Sequence, residues 1–378
     1  MADDATVFQK ITQLLDRGDG VRAQRLLKPI YQQRRDDPQV LYLVARVNEV
    51  RDRAELAEKV YRQLLKAGNV SPAIARKARQ GIERLAASDK LRRRDRIESA
   101  KLAKPDRLGL LILEATPAER RRELAQALAH VLDIDPYSAR MQLQTHGWRL
   151  YRVGDFAELD VYGRDLRKAG LKTFWVDRAA IDEIEVFRVD YLEQIEPNFV
   201  AVCVERGDRA GRIEFEPGEV TRQVRGGVPL FINAVSFDIS KQDKEKIKRK
   251  PEIRDYVQLL DLHLPDRGCI LRFCDRRYRF DSGAIFTQEQ LEQEEKGLAS
   301  SAATTRINWN GMLAAIDRQC PNVPLWRDFA PFAETTLDYY LLMESIDHYV
   351  DVMREEPSNW DPAFQLYSTL VWLREAKP

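Results

Sequence analysis

A spacing of 34 residues recurs near the start of this chain. Pro38 and Pro72 are 34 apart, as are Ala23 and Ala57, and the pairs Val7/Leu41, Leu27/Tyr61 and Ile30/Leu64 share the offset. A helix pair of this length cannot bury its apolar stripe alone, so a fixed period implies that each pair stacks on the next. The period constrains the start of the chain to an array of helices. Such arrays present a surface to another protein more often than they carry out chemistry.

Apolar spacing supplies the helices themselves. Val7, Ile11, Leu14 and Leu15 form one stripe, and Val21, Leu26, Leu27 and Ile30 a second after Gly18-Asp19-Gly20. Pro38 opens a third helix through Leu41, Val44 and Val47, and a fourth runs through Leu56, Val60, Tyr61, Leu64 and Leu65 to Gly68. Ser71-Pro72 starts a fifth, with Ile74, Ala78, Ile82 and Leu85 on one side. Residues 5–87 thus resemble tetratricopeptide repeats, two of them with a capping helix. That family places a small residue where paired helices approach and a large one four positions on, as in Ala23/Leu27 and Ala57/Tyr61. The chain departs from it in lacking Trp in the first helix of each pair, and in having Ile11 and Ala45 at the small-Gly position. A plain helical bundle is the alternative. The resemblance implies a groove for a partner's peptide or helix, in which Leu41, Val44, Asn48 and Tyr61 would make contact.

Composition narrows the classes. At 378 residues the chain is long enough for several domains, and 44% hydrophobic residues allow real cores. Lys+Arg 61 against Asp+Glu 60 lacks the basic excess of a protein that coats nucleic acid. Four scattered cysteines show no disulfide framework, and the start of the sequence lacks a secretion pattern. No uncharged apolar run approaches membrane-spanning length, so a cytoplasmic protein without a transmembrane segment is expected.

Residues 88–106 read as a basic linker. Arg92, Arg93 and Arg94 could touch RNA or lipid phosphates, but no aromatic is interleaved for stacking, which favours a solvated helix extension or linker. Residues 107–178 read as a small α/β unit in the order β-α-α-β-α-β. The apolar run Leu108–Leu113 is its first strand, and Thr116-Pro117 and Asp135-Pro136 open helices. Gly154-Asp155 caps another helix, ahead of the run Asp165–Val176. This pattern resembles the C-terminal domain of the bacterial ribosomal stalk protein, a fold shared by the Clp protease adaptor; both bind other proteins. Where the stalk family is rich in Gly and Lys, this chain has the acidic Asp133-Ile134-Asp135-Pro136-Tyr137, so that family's factor-binding activity does not carry over. An unrelated ferredoxin-like unit would give the same pattern.

From 184 to 325 the apolar period shortens to two, which predicts a β-rich domain, a sandwich or a layout analogous to a pleckstrin-homology barrel. Within it Lys241–Lys250 is a second basic run, read as a loop, and Thr287–Ser301 reads as a mobile polar connection. Residues 326–378 read as a helical hairpin: one long amphipathic helix over Phe329–Met353, then a last helix from Asp361-Pro362. Aromatic residues at this density are more often core than groove, and an exposed fraction would suit a homodimer or partner interface. The expected fold class is therefore multidomain α+β.

Motifs of known chemistry are absent: no Walker spacing, GxGxxG, GxSxG or HExxH occurs. His263, Cys269 and Cys274 come closest to a ligand set, but the odd offset of the two cysteines points them to opposite faces of one strand. Arg276 and Arg277, with Arg279, form a basic edge suited to an anion. The expectation is a non-catalytic adaptor or scaffold with no cofactor and no metal, whose N-terminal helices bind another protein. The alternative is an RNA- or ribosome-associated factor using 90–104 and 241–250.

Overall fold

Short-range capping chemistry sets the helix starts. The Asp37 carboxylate accepts from the N–H groups of Gln39 and Val40, and Pro38 occupies the first turn, where its missing N–H costs nothing. Asp19 accepts from Arg22 N and Ser71 Oγ from Ile74 N in the same way. The resulting helices are α1 (Ala2–Asp16), α2 (Gly20–Gln33), α3 (Pro38–Val50), α4 (Ala54–Lys66) and α5 (Pro72–Ala103). The structure is a computed structural model. It describes residues 2–375 except 69, 104, 205–209, 238–246, 288–301, 351, 353 and 355–356. The chain divides into two compact units, Met1–Ala103 and Lys104–Pro378.

The first unit has two cores that share α3. Ile11, Leu15, Ala23, Leu27, Val40, Leu43 and Val47 close α1–α3, while Leu41, Ala45, Ala57, Tyr61, Leu64, Ala78 and Leu85 close α3–α5. The sequence period lands on equivalent places: Pro38 and Pro72 each begin a helix, and Ala23 and Ala57 are both fully buried. Glu49 ties three helices together. It accepts from the Tyr61 hydroxyl on α4 at 2.6 Å and from Arg84 Nε on α5 at 2.7 Å, with Arg46 at 3.1 Å. Burial alone would raise the Glu49 pKa, but these donors and cations hold it below the ordinary carboxylate value. The stretch expected as a linker from 88 is, as far as Ala103, the continuation of α5.

The second unit is layered. Strands β1 (Leu108–Glu114), β2 (Trp148–Asp155) and β3 (Thr173–Asp177) form an antiparallel sheet in the order β2-β1-β3. Helices α6 (Arg121–Leu132), α7 (Pro136–Gln142) and α8 (Phe156–Lys168) cover the face that carries Leu111 and Leu113. After α9 (Ala179–Asp182) the chain builds a second sheet from seven strands: β4 (Glu185–Gln194), β5 (Phe199–Val204), β6 (Ala210–Phe215), β7 (Arg222–Phe237), β8 (Ile247–Leu264), β9 (Cys269–Cys274) and β10 (Leu325–Trp326). Their order is β10-β7-β8-β9-β4-β5-β6, with β4/β9 and β7/β10 parallel and the other pairs antiparallel. One face packs on α10 (Ala302–Gln319). The other packs on α11 (Phe329–Glu334), α12 (Tyr340–Ser345) and α13 (Trp360–Glu375), which also cover the free face of the first sheet.

Three expectations are corrected. The β-rich region is one seven-stranded sheet between helical layers, not the two facing sheets of a sandwich. Residues 329–353 are not one helix: α11 ends at Glu334 and α12 spans only Tyr340–Ser345. The break has a use, because Thr335 Oγ1 accepts from Leu150 N and the Tyr339 hydroxyl donates to Tyr151 O, so the edge strand β2 is blunted by side chains from that turn. The last helix does not offer a dimer face either, since every residue of α13 from Asp361 to Val371 is buried between the two sheets. Of the basic run Lys241–Lys250, residues 247–250 belong to β8 and the remainder lies outside the described residues, as does 288–301 of the polar connection.

Gly81 gives a test of this packing. A Cβ there would lie 2.4 Å from the Tyr61 ring, whereas one at Gly68 meets nothing within 4 Å. Alanine improves helix propensity by about 1 kcal/mol. The expected outcome is nevertheless that Gly81→Ala lowers the melting temperature and Gly68→Ala does not, as read by circular dichroism.

Candidate functional site

Strand register lines up charges on the α13 face of the large sheet. Val224, Asp261, Arg272 and Arg188 are successive partners across β7, β8, β9 and β4. Arg272 grips Asp261 with both ends of its fork, Nε to Oδ1 at 2.9 Å and Nη2 to Oδ2 at 2.6 Å, and both side chains have 0% exposure. The guanidinium lies 4.9 Å from the centre of the Phe364 ring on α13, within cation–π range. His263 is two residues along β8 from Asp261, on the same face. Its Nε2 is 2.9 Å from Ser368 Oγ and its ring 5.5 Å from that of Trp372. Burial, with Arg222 and Arg272 nearby, pushes its pKa down to about 3, so it is a neutral imidazole at any ordinary pH. At the start of α13, Arg354 donates to Asp361 Oδ1 at 2.5 Å and to Pro229 O at 2.8 Å. Burial raises the Asp361 pKa against the opposing pull of Arg354 and His348.

One cavity opens beside this polar layer, and another lies apart from it at the edge of the three-stranded sheet. A small one, about 30 Å³, is lined by Arg188, Asp190, Arg272, Cys274, Arg277 and Tyr349, with Val189 and Val204. A larger groove of about 460 Å³ runs between α6/α7, β2 and the Thr335–Tyr339 turn, where Arg149, Arg152 and Asp338 face it.

The thiols are poor nucleophiles. Burial pushes Cys203 and Cys274 up to about 12, and Cys269 and Cys320 to about 11, so all four stay protonated. Cys269 packs into the α10 core and Cys274 into the α13 core, on opposite faces of the sheet as their odd spacing requires. His263 points to the α13 face, so it does not converge with Cys269.

The structure distributes the other residues singled out from sequence. Tyr61 is fully buried and Leu41 lies in the same core, so neither is presented to a partner. Val44 and Asn48 are half-buried one turn apart on α3, with Asn48 Nδ2 donating to Val44 O. Arg92 pairs with Asp52, and Arg94 with Glu98 at 3.1 Å; Arg93 is also engaged. Arg276 pairs with Asp255, while Arg277 lines the small cavity. Sequence reasoning passed over Arg272 and Arg188, and it reads Asp261 as a turn former of the hairpin, whereas Asp261 is buried against Arg272. The signal was a lone charge inside an apolar strand, Arg in CILRFC and Asp in LLDLHL, because a charge in a buried run needs a partner there. No protein-family model matches the chain, and neither does any curated protein or solved structure.

Two measurements probe the polar layer. Asp261→Asn leaves the Arg272 charge uncompensated in the core and is expected to cost about 3–5 kcal/mol in urea unfolding. Asp261→Asn with Arg272→Met removes both charges and should recover most of that loss. Asp275 supplies a pH test. Burial, reinforced by Asp255, lifts its pKa from the ordinary 3.8 to about 6, while its Oδ1 accepts from Gln258 N. A raised carboxyl pKa means that the folded chain holds the proton more tightly. Its stabilising effect is complete below pH 3.8 and declines as pH rises to about 6. Asp275→Asn keeps the acceptor without the proton. The variant should therefore gain on the native chain between these pH values, by roughly 1–3 kcal/mol after allowing for partial exposure.

Proposed function

We propose that the chain is a non-catalytic adaptor or scaffold whose N-terminal helices, arranged like tetratricopeptide repeats, hold a peptide or helix of another protein. The observation that carries the reading is the 34-residue period falling on equivalent buried positions of a unit with its own two cores. Such a unit is stabilised by internal packing, which leaves its surface available for recognition. The contact centres on Val44 and Asn48, the accessible pair among the candidate residues. The four free, buried cysteines fit a reducing, cytoplasmic setting. No helix among the described residues is long and apolar enough to cross a membrane.

The RNA- or ribosome-associated alternative has less support, because Arg92 and Arg94 already face acids on the protein. Salt-sensitive RNA retention that falls on Arg92/Arg93/Arg94→Ala would favour it instead.

Affinity purification from native cells tests the adaptor reading, comparing the full chain, a chain lacking residues 1–103, and Val44→Glu/Asn48→Lys. The deletion and the double substitution should lose the same partner. If the deletion retains every partner, the N-terminal unit is not the docking module.

A further inference from the structure

We infer that the outer faces of α2 and α4 form a docking surface for an acidic segment of another protein, one that interleaves Asp or Glu with apolar residues. Charge divides unevenly between the two units. Met1–Ala103 holds 23 Lys and Arg against 14 Asp and Glu, a net charge of +9, whereas Lys104–Pro378 holds 38 against 46, a net charge of −8. The near-neutral chain is therefore two bodies of opposite sign. However the charged groups of the first unit pair with one another, its 14 acids leave nine positive charges uncompensated within it.

The helical period locates part of that excess. Val21, Arg25, Lys28 and Gln32 recur at i, i+4, i+7 and i+11, so they form one stripe along α2. Glu55, Lys59, Arg62 and Lys66 form the matching stripe along α4, each 34 residues further on. Both stripes are exposed, and equivalent positions of stacked helix pairs belong to one surface. That surface carries five cations against Glu55; one of the five, Arg62, also meets Glu58 at 2.7 Å. Val21 is 53% exposed and Leu56, beside the α4 stripe, 50%, so apolar surface is interspersed with the charge. This mixture selects a protein. A nucleic-acid backbone meets such a surface with phosphates, leaves Val21 and Leu56 in water, and finds no aromatic residue in either stripe on which to stack a base. An anionic bilayer presents a uniform negative layer that repels Glu55. A protein segment can set carboxylates against the cations, a basic residue against Glu55 and an apolar side chain on Leu56. The surface lies on helices other than α3, so it does not depend on the contact at Val44 and Asn48.

The test uses the full chain and a labelled synthetic helical peptide of Glu, Leu and Ala, followed by fluorescence anisotropy. Binding should be saturable and should weaken as salt rises. Arg25→Glu with Lys59→Glu sets like charges against the peptide and should weaken binding by about tenfold or more, with an unchanged circular dichroism spectrum. Leu56→Ser should also weaken it, without altering its salt dependence. Val44→Glu/Asn48→Lys should leave it unchanged, so this surface and the α3 contact stand or fall separately; loss of peptide binding in that variant would move the site to α3 and overturn the assignment. Equal binding of a peptide with Lys in place of Glu would overturn it, as would unchanged affinity in Arg25→Glu/Lys59→Glu or no peptide binding at all. Tighter binding of polyuridylate RNA or of phosphatidylserine vesicles than of the peptide would assign the surface to phosphates and overturn it too.

Discussion

A helix without a solvent face holds the second unit together. From Asp361 to Val371 every side chain of α13 is buried, because the three-stranded sheet packs on one side and the seven-stranded sheet on the other. Ala363, Phe364, Leu366, Tyr367, Leu370 and Val371 supply apolar surface to the shared core, and Trp148, Phe174, Phe329 and Phe332 meet them. A helix enclosed on all sides must also bury its polar residues, and each of these needs a partner nearby. The interior charges of the unit follow from that requirement. Arg354 satisfies Asp361, Ser368 meets His263, and the Thr369 hydroxyl donates back to Gln365 O and Leu366 O. Arg272 lies over Phe364 while bound to Asp261.

This placement makes the end of the chain a condition for the middle. Leu110, Ile112, Trp148, Leu150, Phe174 and Val176 project from the first sheet toward the layer of α11–α13, not toward water. Arg374, in the last turn of α13, donates to Glu114 at 2.8 Å across a separation of 260 residues. Contacts this distant close only after the intervening strands exist, so the unit carries the high contact order that slows folding. The three-stranded element does not complete its core by itself: α6–α8 cover one face and the other waits for α13. A pattern of strands and helices that resembles a freestanding small domain is thus, in this chain, one layer of a larger unit.

What the sequence disclosed, and what it hid, follows from the range of the interactions. Helix starts at Pro38, Pro72 and Pro136 were legible because Asp37, Ser71 and Asp135 cap them within three residues. The hairpin of β8 and β9 turns at Pro265–Gly268, with Gly268 at φ +69°, and a turn of that composition is likewise a local signal. The parallel pairing of β4 with β9 was not, since nothing local distinguishes a strand that joins a distant partner from one in a second sheet. The tail was misread for a related reason. Leu337, Tyr340, Leu341 and Ile346 keep helical spacing, but Thr335 and Tyr339 are drawn out to the edge of β2. Tyr61 was misassigned because an aromatic at a repeat position looks alike in sequence whether it faces a groove or a core. Its contact with Gly81 and its bond to Glu49 place it in the core.

The near-equality of 61 basic and 60 acidic residues acquires a local meaning in the structure. In the first unit it appears as pairs on and between helices, Arg84 with Glu49, Arg92 with Asp52 and Arg94 with Glu98. In the run Arg92-Arg93-Arg94, the first and last residues thus have acidic partners on the protein. Exposed pairs of this kind contribute little to stability, typically under about 1 kcal/mol each. In the second unit the pairing moves inside, to Arg272 with Asp261 and Arg354 with Asp361, where losing one partner strands a charge in the core. Electrostatics therefore does different work in the two units: pairing in the first lies largely at the surface, whereas interior pairing in the second ties β8 to β9 and the start of α13 to the segment before it.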